Sequence, residues 1–190
     1  MARVYDNTQR ALRAADPTQA IVSATEALVL SRPLSEVTLP AIGAGAGVTV
    51  QTVLRHMGSR EGCIEALAER VRARVEAQRS TTVPGDVEAA LAELLHHYEL
   101  EGRLVLRLLA EEGRDALASR AVDEGRAFHR AWVVRCFGPR LRDVQASTVD
   151  ALVGATDLYL WKLFRLDLGR SEGETKLLIT RLVRGVLESP

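Results

Sequence analysis

Thr38, Thr49 and Ser59 are residues of the kind that accept backbone N–H groups at the start of a helix, and they lie close together in the chain. The segments between them have room only for helices of about two turns. The first, opened by Thr38 with Pro40 in its first turn, passes through Ala41, Ile42 and Gly43 and ends at Gly45 or Ala46. Gly47 comes next, suited to a turn with positive φ because it has no Cβ to clash. The second short helix runs from Val50 to His56 and is closed by Gly58, while Ser59 opens a long helix from Arg60 to about Gln78.

The remaining sequence agrees with helices throughout. Apolar residues make up 47% of the chain and aromatic residues only 4%, so Ala, Leu and Val must build the core, and many Arg and Glu accompany them. Leu, Arg and Glu lose little rotamer freedom in a helix, and Ala loses none. The predicted fold class is all-α, with about nine helices. Asp16-Pro17-Thr18-Gln19 supplies an acceptor, a proline at the first helical position and a glutamine two residues on, and predicts a first helix from Pro17 to Ser31 that Arg32-Pro33 breaks.

Ser80 to Gly85 is polar and then rigid, with Asp86 ready to cap the next helix. A domain boundary is placed there, giving residues 1–79, which include an N-terminal arm, and residues 86–190. The second domain is predicted to hold helices near 87–101, 103–113, 115–137, 145–168 and 172–187. The last opens with the S-x-x-E capping pattern of Ser171 and Glu174.

A net charge of zero argues against a protein that coats nucleic acid indiscriminately, since such binding is driven by neutralising phosphates. Residues 1–79 carry net +2 and the remainder net −2, so a local polyanion contact belongs in the first part. No apolar run reaches the ~18 to 20 residues of a membrane span, and the chain reads as soluble and cytoplasmic with no membrane partner. Cys63 and Cys136 stand far apart without a C-x-x-C partner, which suggests neither a disulfide framework nor a zinc cluster.

The spacing around Gly47 meets the demands of a helix-turn-helix. Gly43 is small enough for the second helix to approach closely, and Val48, Val53 and Met57 face inward. Val50, Gln51, Thr52, Arg55 and His56 are left outside, where amide, hydroxyl and guanidinium tips can read base edges and touch phosphate. A glycine turn of this kind also occurs as a mere connector between helices.

The run TLPAIGAGAGVTVQTVLRHMGSRE, Thr38 to Glu61, resembles the DNA-binding segment of the tetracycline-repressor (TetR) family of bacterial transcription regulators. GRAFHRAW, Gly125 to Trp132, and DLYLWKLFRLDLGRSEGET, Asp157 to Thr175, are similar to the C-terminal helices of one branch of it. The resemblance implies that Thr38 and Thr49 cap helices whose N-termini face phosphates, that Val50, Gln51 and Thr52 meet bases, and that Arg55 and His56 meet backbone or groove edge. Arg60 takes the place of a phosphate-binding lysine. Leu54 and Met57 depart from the family's usual tyrosine and phenylalanine, and Leu54 cannot donate the tyrosine's phosphate hydrogen bond; Arg3, Arg10 and Arg13 of the N-terminal arm are candidates to replace it.

In the second domain, helix 145–168 carries Val149, Leu152, Val153, Leu160, Leu163 and Phe164 over more than one face, and helix 172–187 does the same with Leu178, Ile179, Leu182, Val183, Val186 and Leu187. Packing these two helices against their copies predicts a homodimer, which the resemblance also implies, and a two-fold dimer suits a palindromic DNA operator. The resemblance further implies a small-molecule effector enclosed by the middle helices. Tyr98, His129, Trp132 and Trp161 are the candidates to line its site, offering apolar faces with polar tips.

No metal and no cofactor are expected. His96 and His97 point about 100° apart, and Glu93, His97 and Glu101 at four-residue spacing read as a solvated stripe. No G-x-S-x-G, H-E-x-x-H, P-loop or dinucleotide fingerprint is present, so no catalytic residues are named. The expected function is a ligand-responsive transcription regulator, a repressor released by its effector, and not an enzyme. The alternatives are an all-α small-molecule enzyme or carrier and a dimerising interaction module.

Overall fold

The computed structural model describes residues 16–141, 143 and 145–189, and these are helical with no strand. The chain divides into two compact units, residues 1–70 and 71–190. Arg3, Arg10 and Arg13, proposed to support DNA binding, lie outside the described residues.

In the first unit, α1 (Pro17–Ser31) starts where the Asp16 carboxylate accepts the Thr18 N–H at 2.9 Å, and it stops where Arg32, ahead of Pro33, is extended. A single 3-10 turn, Leu34–Glu36, leads to α2 (Leu39–Ala46) and α3 (Val50–Met57). Then α4 (Arg60–Arg79) begins, with the Ser59 hydroxyl accepting the Gly62 N–H at 3.0 Å. Ile21, Val37, Ile42 and Val53 are wholly buried between α1, α2 and α3. Each such side chain contributes about 1.5–3 kcal/mol relative to an exposed one.

The glycines of this unit hold it together by having no side chain. A Cβ at Gly43 would lie 3.0 Å from the Val48 carbonyl oxygen and one at Gly45 3.1 Å from the Ala24 Cβ. Both therefore allow close packing that offsets their poor helix propensity. A Cβ at Gly62 would fall 2.0 Å from the Met57 carbonyl oxygen, so no other residue fits there without moving the backbone.

The second unit contains α5 (Val87–Ala110), α6 (Ala116–Phe137), α7 (Ala146–Ala155), α8 (Leu158–Lys162) and α9 (Glu172–Leu187). Asp86, Asp115, Asp157 and Ser171 cap four of them, and Ser171 with Glu174 forms the reciprocal capping box predicted. Leu91, Leu94, Val133, Phe137, Leu152, Ile179 and Val183 fill the core.

Two expectations are corrected here. Helices 87–101 and 103–113 are one continuous α5, because Gly102 is not a break: a Cβ there would lie 2.8 Å from the Trp161 ring, and the glycine exists to admit that indole. Helix 145–168 is instead divided at Thr156. The Thr156 hydroxyl donates to the Leu152 carbonyl at 2.7 Å, and Asp157 caps a new helix by accepting the Tyr159 N–H at 2.7 Å. After α8 the chain widens to a π turn over Leu163–Asp167.

Candidate functional site

Gly47, with φ of 68°, turns the chain from α2 into α3, and the Thr49 hydroxyl accepts the Thr52 N–H at 3.2 Å. Thr38 plays the same part for α2, accepting the Ala41 N–H at 3.4 Å. Val53 anchors α3 from beneath with no exposure at all. Gln51, Arg55 and His56 stand out in solvent, and Val50 and Thr52 are half-buried beside them. Amide, guanidinium and imidazole tips thus share the free side of one short, capped helix. The His56 ring also meets the Thr18 hydroxyl at 3.3 Å, and an Arg55 N–H lies 3.5 Å from its other nitrogen.

Arg60 is placed differently from those groups. Its Nε donates to the Val37 carbonyl at 2.6 Å, a second N–H reaches the Leu34 carbonyl, and a third meets the Glu61 carboxylate at 3.1 Å. Two of its bonds hold the chain ahead of α2, so Arg60 positions this face as well as charging it.

The second unit brings three of the four expected pocket residues together around a group that sequence reasoning leaves out. Arg79, the last residue of α4, is 3% exposed. Its guanidinium carbon stands 5.6 Å from the centre of the Tyr98 ring, 5.7 Å from Phe128 and 5.2 Å from Trp132. One guanidinium N–H faces His129 Nδ1 at 3.3 Å. Trp161 is set apart: it packs on Gly102 and tilts against Tyr98, and its indole N–H donates to Glu99 at 2.8 Å, where Arg165 also binds. At the end of the first domain's long helix, Arg79 carries no signal in the sequence beyond that of a basic residue closing a helix.

Hydrogen bonds fix the protonation of this cluster. The Thr156 hydroxyl donates its proton to the Leu152 carbonyl, so it accepts from His129 Nε2, 3.1 Å away, and Nδ1 is left to accept from Arg79. A second proton on His129 would meet the guanidinium. Burial first, and Arg79 second, hold both His129 and His97 down to about 3. Burial also pushes the Tyr98 hydroxyl up to about 12, and it donates to the Thr156 carbonyl at 2.8 Å.

The series Glu93, His97 and Glu101 is not the solvated stripe expected. His97 and Glu101 are buried, and Glu101 pairs with Arg74, its oxygens 2.9 and 3.0 Å from two guanidinium nitrogens. Among the described residues no three His, Cys, Asp or Glu side chains are grouped to hold a metal ion. No helix among them is long and apolar enough to cross a membrane.

Residues 21–67 match the family model of bacterial regulatory proteins, tetR family. No curated protein matches the chain. Among solved structures, it is similar to a transcriptional regulator from Pseudomonas aeruginosa PAO1 at 14% identity, TM-score 0.70, with 93% of this chain and 94% of that one covered. It is also similar to a protein described as a TetR-family transcriptional regulator from Rhodococcus sp., at 16% identity and TM-score 0.69, covering 90% and 99%. At these identities the likeness shows a shared fold.

Proposed function

We propose that the chain is a regulator of the TetR family, on the match of residues 21–67 to the model of bacterial regulatory proteins, tetR family, and that it acts as a cytoplasmic, homodimeric repressor that binds a palindromic operator and releases it on binding a small-molecule effector. One observation carries the DNA-binding part: α3 holds Gln51, Arg55 and His56 in solvent above a wholly buried Val53, so the helix is anchored from beneath while its polar side faces water. Gln51 is assigned to base edges, where a bidentate amide contact discriminates by about 1–3 kcal/mol. Arg55, with the N-termini of α2 and α3 capped by Thr38 and Thr49, is assigned to phosphate.

Dimerisation is supported by apolar side chains left uncovered in the C-terminal part of the second unit. Tyr159, Leu163, Leu168, Leu177 and Leu182 are all more than 40% exposed, and apolar side chains left in water favour a surface that a partner covers. A second copy of α8, the π turn and α9 would cover them. An effector that binds better to a conformation with mis-spaced reading helices lowers DNA affinity by its differential affinity for the two states.

A mobility-shift titration with the DNA flanking the protein's own coding region tests this. A retarded dimer complex on that DNA, displaced by unlabelled specific but not random duplex, is the expected result. No retardation of any duplex would favour the rival small-molecule carrier, with α1 to α3 serving as packing, and equal affinity for all duplexes would overturn the operator reading.

A further inference from the structure

The charges and hydrogen bonds at the centre of the second unit do not balance. Arg79 is buried among three aromatic rings, and its Nε has no hydrogen-bond partner among the described residues. The same is true of the Trp132 indole N–H, on a side chain 2% exposed, and of His97 Nδ1. The acids of α5 are engaged elsewhere: Glu93 by the Thr81 and Thr82 hydroxyls, Glu99 by Arg165 and Trp161, Glu101 by Arg74. Among the described residues, Arg79 therefore forms no ion pair.

Aromatic faces offset part of the cost of burying a cation, each by about 0.5–2 kcal/mol. They accept no N–H in the plane of the guanidinium, and a buried donor left unmade costs about 1–3 kcal/mol. What the cluster lacks is an acceptor bearing one negative charge. The neighbouring histidines, neutral above about 3, add no second positive charge at neutral pH. A singly charged group therefore fits better than a phosphate. Phe128 and His129 are half-buried and are the most exposed members of the cluster.

We propose that this cluster binds an organic monocarboxylate with an aromatic or otherwise apolar body, its oxygens accepting from Arg79 Nε and the Trp132 indole N–H and its body lying against Tyr98, Phe128 and Trp132. The binding stands on the cluster itself; only its effect on DNA rests on the repressor reading above. Lysine in place of arginine has no N–H fixed at the Nε position of a planar guanidinium, so Arg79→Lys is expected to bind weakly despite keeping the charge.

Thermal melting and calorimetric titration of the full chain, without DNA, test the proposal. The probes are benzoate and phenylacetate, each beside its amide, at ionic strength held constant with sodium chloride. The expected result is a saturable rise in melting temperature with both carboxylates and none with the amides. Trp132→Phe, which keeps the ring and removes the N–H, weakens carboxylate binding roughly tenfold, and Arg79→Gln by roughly a hundredfold. No carboxylate-specific rise in the wild type, or equal binding by wild type and Trp132→Phe, overturns the site. If carboxylates bind but leave the mobility shift unchanged, the site stands and its coupling to DNA fails. If no DNA is retarded at all, the repressor reading fails and the melting result is untouched.

Discussion

The outer side of α3 and the Arg79 cluster are both built from polar side chains, and they are supported in opposite ways. On α3, Gln51, Arg55 and His56 remain in water, so folding does not pay to dehydrate them. The stability of that region is supplied beneath them by Val53 and by close approaches at Gly43 and Gly62. In the second unit Arg79, His97 and Trp132 are themselves core, packed among Tyr98 and Phe137, and their polar atoms are dehydrated by folding. A surface of the first kind can change what it reads without changing its support. A site of the second kind cannot be altered without changing the stability of the unit that holds it.

The harshest way to break this contrast is at the support of α3. Gly62→Ala forces a methyl group onto the Met57 carbonyl oxygen and is expected to cost about 3 kcal/mol or more, measured by urea denaturation. Gly125→Ala, at an exposed helical position with nothing within 4 Å, is expected to stabilise by up to about 1 kcal/mol in the same assay.

Acid provides the next test. His97 and His129 titrate near 3 when folded, against about 6.5 when free. As pH falls below 6.5 the unfolded chain takes up protons that the folded unit refuses. Stability present above 6.5 is therefore lost progressively toward 3. His97→Gln and His129→Gln should each flatten the fall in urea midpoint between pH 6.5 and 4; a fall as steep as in the wild type would show that these rings are not the cause.

Smaller effects sharpen the other side. Gln51→Ala should reduce discrimination between operator and altered-base duplexes by about 1–3 kcal/mol with unchanged melting temperature. Thr49→Ala removes the α3 cap and should cost about 1 kcal/mol of stability. Ser171→Ala, which removes the box at α9, should cost a similar amount while leaving DNA affinity as it was.

Local chemistry explains what is legible in the chain. Asp16-Pro17, Thr38, Thr49, Ser59 and Ser171 start helices by side-chain bonds to residues two or three positions on, and Gly47 turns because of its own φ, so each can be read in place. Gly102 reads as a break because its true reason lies in Trp161, far along the chain. The division at Thr156 is invisible to apolar spacing, which continues across it, while the bonds that end the helix are made by a hydroxyl and an aspartate. Arg79 is hidden for the same reason as Gly102: its surroundings come from α5 and α6, and adjacency in sequence places it beside a linker. Tyr98, His129 and Trp132 stand out as candidates through their residue type, but the cation they surround does not.

If the free side of α3 reads sequence while the core beneath it only supports, a footprinting titration of wild type and Gln51→Ala on the DNA flanking the coding region will separate the two roles. The wild type is expected to protect two half-sites about 34 Å apart or a multiple of that. Gln51→Ala, folded to the same melting temperature, is expected to select specific over random DNA less well by about 1–3 kcal/mol. Protection by Gln51→Ala as selective as that of the wild type would contradict this division of labour.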